Sequence, residues 1–226
     1  MAELKAFLFD LDGTLIDSEV IYVEAVRNAL RAKGYNLTKK ESEALVYGIS
    51  AQDIFLETVR RFPGSYTSTD DMGIHIREHF YALKAERDIR IHGSIALLRD
   101  LSREFPVAIV SGSPREDIAA GIEMMEISDD VSFYLGTEDY SPGKPDPTCY
   151  LLAAEKCEVS PQNCLVFEDS SAGVVAAKRA GAWCIALKRN GAAPQDLSSA
   201  DAIYADLSEF DLSRFERDFK DSTSAE

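Results

Sequence analysis

Five short runs of consecutive apolar residues constrain the fold of this chain more than any other feature. Each run is about as long as a β-strand, and none alternates with polar residues, so each suits a strand that is buried on both faces. Such strands are typical of a parallel sheet that helices cover on both sides. The runs are Ala6–Phe9, Val107–Val110, 165–167, 184–187 and, more weakly, Ala202–Tyr204.

Stretches with helical periodicity lie between these runs from residue 95 onward. Because strands and helices alternate along this part of the chain, the sequence predicts an α/β fold with a doubly wound parallel sheet. The predicted helices are 95–104, Arg115–Met125, Thr148–Lys156 and Ser171–Ala180.

The stretch 18–87 breaks this alternation, because it contains helical patterns and no convincing strand. Gly34 suits the position that follows the end of a helix, and Ser50 suits the N-cap of another. The predicted helices are 19–33, Lys39–Val46, Ala51–Arg61 and 74–86.

The predicted domain organisation follows from where the helical stretch interrupts the sheet. We expect a helical domain over 18–87, inserted into an α/β core that comprises 1–17 and 88–210. Since the chain crosses twice between the two parts, the crossings form a natural hinge. The last segment, 211–226, is polar and charged, and we expect it to be partly disordered.

Chemically reactive side chains follow several of the predicted strands. In a parallel α/β sheet, ligands bind beyond the carboxyl ends of the strands, so residues at these ends are candidate site residues. We expect four distant segments to meet at one edge of the sheet. The residues are Asp10 and Asp12 after the first strand, Ser111, Gly112 and Ser113 after the second, Lys144 in the loop GKPDP, and Glu168 and Asp169 after 165–167.

The two aspartates of FDLDGT indicate a bound cation. Two carboxylates this close are unfavourable unless a cation or a proton compensates them. Mg²⁺ prefers carboxylate and carbonyl oxygens, and Asp169, with Glu168 beside it, can complete such a site from a neighbouring strand. An aspartate can attack phosphorus to give an aspartyl-phosphate, which makes Asp10 a candidate nucleophile. Asp12 can transfer a proton to the leaving group and later accept one from water.

A phosphate group at this edge would meet a cation and several hydrogen-bond donors. Lys144 supplies the cation and Ser111 a hydroxyl, while the backbone N–H groups of 111–113 can form an anion-binding nest before a helix. Each of these motifs is common in turns and helix caps when taken alone. The prediction therefore depends on their joint occurrence at strand ends.

The composition excludes some partners. The chain has 226 residues with 46% apolar and 28% charged residues, which is an ordinary globular balance, and its formal net charge is −15. Such a charge repels nucleic acid and anionic membranes. The four cysteines form no C-x-x-C pair, and the first residues show no leader pattern, so we expect reduced thiols and a cytoplasmic protein.

At these motifs the sequence resembles the haloacid dehalogenase superfamily of phosphatases, and the resemblance covers nearly the whole chain. The matching segments are DLDGT, VAIVSGS, GKPDP and VFEDS, in that order. The resemblance implies Asp10 as nucleophile and Asp12 as general acid and base. It also implies Mg²⁺ bound by Asp10, the backbone carbonyl of Asp12 and Asp169, with Glu168 as a direct or water-mediated ligand. Ser111 and Lys144 are implied to bind the phosphate.

The helical insertion resembles the cap of the phosphoglycolate phosphatase and β-phosphoglucomutase branch. The implied substrate is a small phosphomonoester, such as a sugar phosphate or phosphoglycolate, and the loop 47–50 is implied to help select it. The implied reaction is Mg²⁺-dependent hydrolysis, by a monomer or weak homodimer.

Three alternatives compete with this interpretation. A sugar phosphate mutase of the same branch would carry an arginine where Ala51 stands and a histidine on the first helix of the insertion, and neither is present. A catalytically silent binding protein would have lost a motif residue, and none is replaced. A zinc site at His75 and His79 has no evident third ligand, and the glutamate of the H-E-x-x-H motif is missing.

Overall fold

The computed structural model describes residues 3–47, 51–190 and 194–223. The chain forms two compact units. The segment up to Ile16 and most of the chain from Arg90 onward form one, which we call the α/β unit; Asp17–Ile89 forms the other, which we call the helical unit. The sequence placed these boundaries after residues 17 and 87.

The α/β unit contains a six-stranded sheet in which every adjacent pair is parallel. Its strand order is β3-β2-β1-β4-β5-β6. The chain adds β2 and β3 on one side of β1 and then β4, β5 and β6 on the other side, so the predicted doubly wound parallel sheet is confirmed. The strands are β1 Ala6–Phe9, β2 Val107–Val110, β3 Phe133–Leu135, β4 Cys164–Glu168, β5 Trp183–Leu187 and β6 Ala202–Tyr204.

Strand β3 is the one strand of this sheet that the sequence did not predict. It has three residues, and Phe133 and Tyr134 are half-buried because β3 lies at the edge of the sheet. All three of its residues are apolar or aromatic, but a run of three is shorter than the runs that indicate a strand.

Strand β1 shows why the predicted strands lack alternation, since both of its faces are buried. On one face, Ala6 and Leu8 join the main apolar cluster of the unit. On the other face, the ring of Phe7 packs edge-on against Phe105 at 5.0 Å, and the ring of Phe9 stacks on Phe167 at 4.5 Å. Helices and loops therefore cover both faces of the sheet.

In the described residues of the helical unit there are four helices, and local side chains cap the start of two of them. Thr38 and Glu41 form a reciprocal capping box at the start of the second helix, and Ser68 caps the fourth by accepting a hydrogen bond from the amide of Asp71. That cap starts the fourth helix at Thr69, five residues before the predicted start. The helices are α1 Ser18–Ala32, α2 Lys39–Val46, α3 Ala51–Arg61 and α4 Thr69–Glu86. Residues 48–50, including the predicted N-cap Ser50, lie outside the described residues.

Five helices of the α/β unit connect its strands and extend beyond the last one. They are α5 His92–Ser102, α6 Arg115–Met125, α7 Thr148–Lys156, α8 Ser171–Ala180 and α9 Leu212–Thr223. In the described part of the chain, no helix combines the length and the apolar character that a membrane span requires.

Within the tail, Leu212–Thr223 forms α9, and the partial disorder expected over 211–226 stays a prediction. Asp211 caps this helix, because its Oδ1 accepts a hydrogen bond from the amide of Arg214 at 2.9 Å. The ring of Phe215 packs on Phe210 at 5.7 Å and anchors the helix to the unit. Arg214 and Arg217 are exposed and Leu212 and Phe215 are half-buried, so the described part of this helix is amphipathic.

Candidate active site

The strand order places the motif residues at one edge of the sheet. β1 lies between β2 and β4, so Asp10 at the end of β1 has Ser111 on one side and Glu168 on the other. Backbone hydrogen bonds continue the sheet into this edge. The amide of Asp10 donates to Phe167 O at 2.9 Å, and the amide of Ser111 donates to Leu135 O at 3.0 Å.

Lys144 joins the neighbouring strands through three hydrogen bonds. Its ammonium Nζ donates to Asp10 Oδ1 at 2.6 Å, to Glu168 Oε1 at 2.6 Å and to Val110 O at 3.0 Å. The side chain is only 9% exposed. Burial alone would lower the pKa of Lys144, but the carboxylates of Asp10 and Glu168 outweigh it and raise that pKa well above its usual value.

Asp10 and Glu168 contact the same ammonium, yet their pKa values shift in opposite directions. Burial raises the pKa of Asp10 well above its ordinary value, and the nearby carboxylates of Glu168, Asp169 and Asp12 add to the rise that Lys144 opposes. Burial also acts to raise the pKa of Glu168, but Lys144 and other donors lower it overall. Asp10 is therefore a carboxylate whose charge the protein alone does not fully compensate.

The number of donors explains this difference. Glu168 accepts five hydrogen bonds, from Lys144 Nζ, the Tyr150 hydroxyl, the Ser170 hydroxyl and the amides of Asp169 and Ser170. Among the described residues, the side-chain carboxylate of Asp10 accepts one, from Lys144. Glu168 is thus held in place, whereas Asp10 keeps an oxygen available for chemistry.

Tyr150 belongs to this network, although the sequence did not identify it. Its hydroxyl donates to Glu168 Oε1 at 2.8 Å, and the ammonium of Lys144 lies 5.2 Å from the centre of its ring. Tyr150 lies on the buried face of α7, and a buried tyrosine hydroxyl usually has a hydrogen-bond partner. Its place on an apolar helix face just after the GKPDP loop was the signal that could have found it.

The hydroxyls of the VAIVSGS segment contact Asp12 in this structure. Ser113 Oγ donates to Asp12 Oδ2 at 2.6 Å, and Ser111 Oγ lies 3.4 Å from the same oxygen. Gly112, between them, is exposed, and a Cβ atom there would meet nothing within 4 Å. The three residues form an open turn beside Asp12, but the amides of Ser111 and Ser113 donate to Leu135 O and Ser111 Oγ, so the nest of 111–113 stays a prediction.

The carboxylates of Asp10, Glu168 and Asp169 form a group that could hold a metal ion, because one oxygen of each lies within 4.8 Å of the others. Gly13 brings the loop after β1 close to this group: it has φ +89°, and a Cβ atom there would lie 1.9 Å from Asp169 Oδ2. An all-oxygen donor set suits Mg²⁺. The carboxylate of Asp12, which the sequence placed near the metal through its backbone carbonyl, is not part of the group.

Comparisons with known proteins show the family of this chain. The model of the haloacid dehalogenase-like hydrolase family matches residues 4–181. Validoxylamine A 7'-phosphate phosphatase from Streptomyces hygroscopicus subsp. limoneus is 31% identical over 206 residues, covering 91% of this chain and 95% of that protein. Hexitol phosphatase A from Escherichia coli (strain K12) is 34% identical over 218 residues, covering 93% and 94%.

A solved structure supports the same fold. The β-phosphoglucomutase of Clostridium difficile matches with a TM-score of 0.74 and 23% identity, covering 98% of this chain and 99% of that one. At this identity the likeness concerns the fold alone. Both sequence relatives are named phosphatases, which confirms the prediction of an enzyme of the phosphoric monoester hydrolase class. Since the family match spans most of the sequence and includes every motif residue named above, the chain belongs to the haloacid dehalogenase-like hydrolases.

Proposed function

We propose that this protein is a Mg²⁺-dependent phosphatase that hydrolyses a small phosphomonoester through an aspartyl-phosphate on Asp10. One observation carries the proposal: Asp10 is buried, contacts Lys144, and lies within metal-binding distance of the carboxylates of Glu168 and Asp169. A carboxylate in this setting can act as the nucleophile towards a phosphoryl group, whose negative charge requires neighbouring cations.

The reaction takes place in two displacements. In the first, an oxygen of Asp10 forms a bond to phosphorus while the bond from phosphorus to the ester oxygen breaks. Asp12 gives a proton to the departing alkoxide, which leaves as an alcohol. In the second, Asp12 takes a proton from water as the water oxygen attacks phosphorus, which releases phosphate and restores Asp10.

Charge neutralisation lets the phosphate approach Asp10. Lys144 supplies one positive charge next to the attacking carboxylate. Asp10 and Asp169 would hold Mg²⁺ together with the backbone carbonyl of Asp12, and the bound ion would neutralise charge on the carboxylates and the transferring group. Glu168, whose oxygens already accept five hydrogen bonds, would contribute through water. The Ser111 hydroxyl and the Gly112 amide would offer donors to the phosphate oxygens.

The relatives support a substrate of the sugar phosphate type, because the names of two of them specify a validoxylamine phosphate and a hexitol. A phosphoglycolate type of substrate is supported by a further relative that is named phosphoglycolate phosphatase. A mutase of the β-phosphoglucomutase type is the second candidate, since a solved β-phosphoglucomutase shares the fold. Ala51, and the absence of histidine from the sequence EVIYVEAVRNAL, favour transfer to water. We further propose a cytoplasmic monomer or weak homodimer.

A panel of phosphorylated metabolites, assayed for phosphate release with Mg²⁺, tests this proposal. We expect release from at least one sugar phosphate or phosphoglycolate. An isomeric sugar phosphate with little free phosphate would instead identify a mutase, and no reaction on any ester would contradict the proposed function.

Chelation tests the metal requirement separately. EDTA should abolish phosphate release and Mg²⁺ should restore it, because the charge on Asp10 is only partly compensated by Lys144. Full activity after rigorous chelation would contradict the metal assignment.

A further inference from the structure

The Ser113 hydroxyl contacts the proposed general acid directly, with Oγ 2.6 Å from Asp12 Oδ2. We propose that Ser113 is a positioning residue that holds the carboxylate of Asp12 in the orientation needed to transfer protons. This role rests on the proposed function, since it assigns Ser113 to the proton-transfer part of that reaction. It differs from the role that the sequence predicted, in which Ser113 binds the substrate phosphate.

The backbone of Ser113 is fixed on both sides, which determines where its hydroxyl points. Its amide donates to Ser111 Oγ at 3.0 Å, and its carbonyl accepts from the amide of Thr137 at 3.1 Å. Gly136 packs so closely that a Cβ atom there would lie 2.8 Å from Ser113 O. The residue is therefore held by the turn after β2 and by the turn after β3.

Ser111 is less suited than Ser113 to position the carboxylate of Asp12. Its Oγ lies 3.4 Å from Asp12 Oδ2, compared with 2.6 Å for Ser113, and it also accepts the Ser113 amide. Ser111 is buried, and its carbonyl accepts a hydrogen bond from the Tyr140 hydroxyl at 2.7 Å. Ser111 thus supports the turn, while Ser113 makes the short contact to Asp12.

The two possible roles of Ser113 differ in how its loss depends on the leaving group. A phosphate ligand stabilises every phosphate ester alike, because all esters share the transferring group. A residue that acts through Asp12 matters most for a leaving group that needs a proton, such as an alkoxide or a weakly acidic phenol. The dependence of kcat/KM on leaving-group acidity therefore separates the roles, since kcat/KM reports the step that phosphorylates Asp10.

The experiment measures kcat/KM of the Mg²⁺-loaded enzyme on aryl phosphates from 4-nitrophenyl to phenyl phosphate. The loss of kcat/KM in S113A should be about tenfold larger on phenyl phosphate than on 4-nitrophenyl phosphate. This factor is smaller than the 10²- to 10⁴-fold rate gain that general acid catalysis supplies, because Asp12 itself is still present. S113T keeps a hydroxyl and should restore most of this selectivity. In a D12N background, S113A should not change the dependence on the leaving group, because the acid is already missing.

The inhibition constant of inorganic phosphate gives a second readout. A positioning role predicts a change of less than about twofold in S113A, since the residue then contributes little to phosphate binding. Equal loss on all esters together with weaker phosphate inhibition would overturn the role proposed for Ser113 and restore its assignment as a phosphate ligand. Phosphate release by the unmodified enzyme is a separate result, and its absence would overturn the proposed function itself.

Discussion

The two units of this protein place their charges differently. In the α/β unit, the carboxylates of Asp10 and Glu168 are buried and share the ammonium of Lys144. In the helical unit, the buried polar residues carry hydroxyls, as at Thr58 and Ser65. Most of its described ion pairs have an exposed member, such as Arg87, which is 45% exposed and bonds to Glu24.

This difference indicates that the α/β unit holds its charged site residues at a cost in folding free energy. A buried charge network costs desolvation, and removing one member is unfavourable when the other groups compensate the burial of that member. Exposed ion pairs contribute about 0–1 kcal/mol each, so the helical unit depends on apolar packing and helix caps. Substitutions in the α/β network should therefore separate activity from stability, whereas those in the helical unit should change stability modestly.

The largest effect is expected at Asp10. D10N keeps the size of the side chain and removes the nucleophile, so kcat/KM should fall at least about 10⁴-fold on any phosphate ester. The folded-state pKa of Asp10 is raised, so its charged form destabilises the fold at neutral pH when no metal is bound. D10N should therefore raise the melting temperature of the metal-free protein.

Both measurements are needed for D10N. Phosphate release near the unmodified rate would refute Asp10 as nucleophile. A lower melting temperature in EDTA would show instead that the contact with Lys144 stabilises the charged form of Asp10, contrary to the direction of its pKa shift.

The next largest effect is expected at Glu168, with the opposite sign for stability. E168Q breaks a buried ion pair with Lys144 and should destabilise the fold by about 3 kcal/mol at neutral pH. The folded-state pKa of Glu168 is lowered, so the stability that it contributes is present above its ordinary value of 4.5 and is lost as the pH falls below that value. Urea titrations of metal-free protein across that range provide the measurement.

The matched comparison for E168Q is D10N, since both remove one carboxylate from the same ammonium. If E168Q stabilises the metal-free protein as D10N should, the donors around Glu168 do not compensate its burial. The difference in donor number between the two carboxylates would then have no energetic consequence.

The sequence predicts the positions of these residues better than it predicts their contacts. Apolar runs and strand ends located Asp10, Lys144 and Glu168 at one sheet edge, because a buried parallel strand has a simple pattern. It did not show that Tyr150 bonds to Glu168 or that the Ser113 hydroxyl faces Asp12. Such pairings depend on side-chain distances across segments that are far apart in the chain.

The secondary structure was likewise predicted best where the local sequence pattern is clear. The bounds of α6, α7 and α8 were predicted without error, because each has a helical pattern between clear strand and turn signals. Strand β3 and the start of α4 were missed. In both, few apolar residues mark the element, and its position depends on an edge pairing or a cap.

A Tyr-to-Phe substitution in each unit compares the two units through the loss of one buried hydroxyl, with smaller expected changes in stability. Y150F leaves buried Glu168 without one of its donors and should cost about 1–3 kcal/mol. The buried hydroxyl of Tyr66 in the helical unit has no hydrogen-bond partner in the described part of the chain. Y66F should therefore be neutral or stabilise the protein by up to about 1 kcal/mol.

Thermal or urea unfolding of the two variants gives this difference directly. The aromatic ring is retained in both, so packing changes little and each acts as the control for the other. Equal losses in the two variants would mean that the hydroxyl of Tyr66 has a partner in solution, such as water.

The smallest expected change in stability concerns the residues that follow one helix in each unit. In the α/β unit this residue is not glycine although its backbone is left-handed, so the backbone strain lies there. Gly34, at φ +89°, follows the end of α1 in the helical unit, and Glu158, at φ 57°, follows the end of α7. In both, the amides of this left-handed residue and of the residue after it donate back to the last turn of the helix. A left-handed backbone favours glycine, so E158G should stabilise the protein by about 0.5–1 kcal/mol, and G34A should destabilise it by a similar amount. Urea unfolding of both variants measures these changes, and a loss of stability in E158G would show that the Glu158 side chain contributes more than its backbone strain costs.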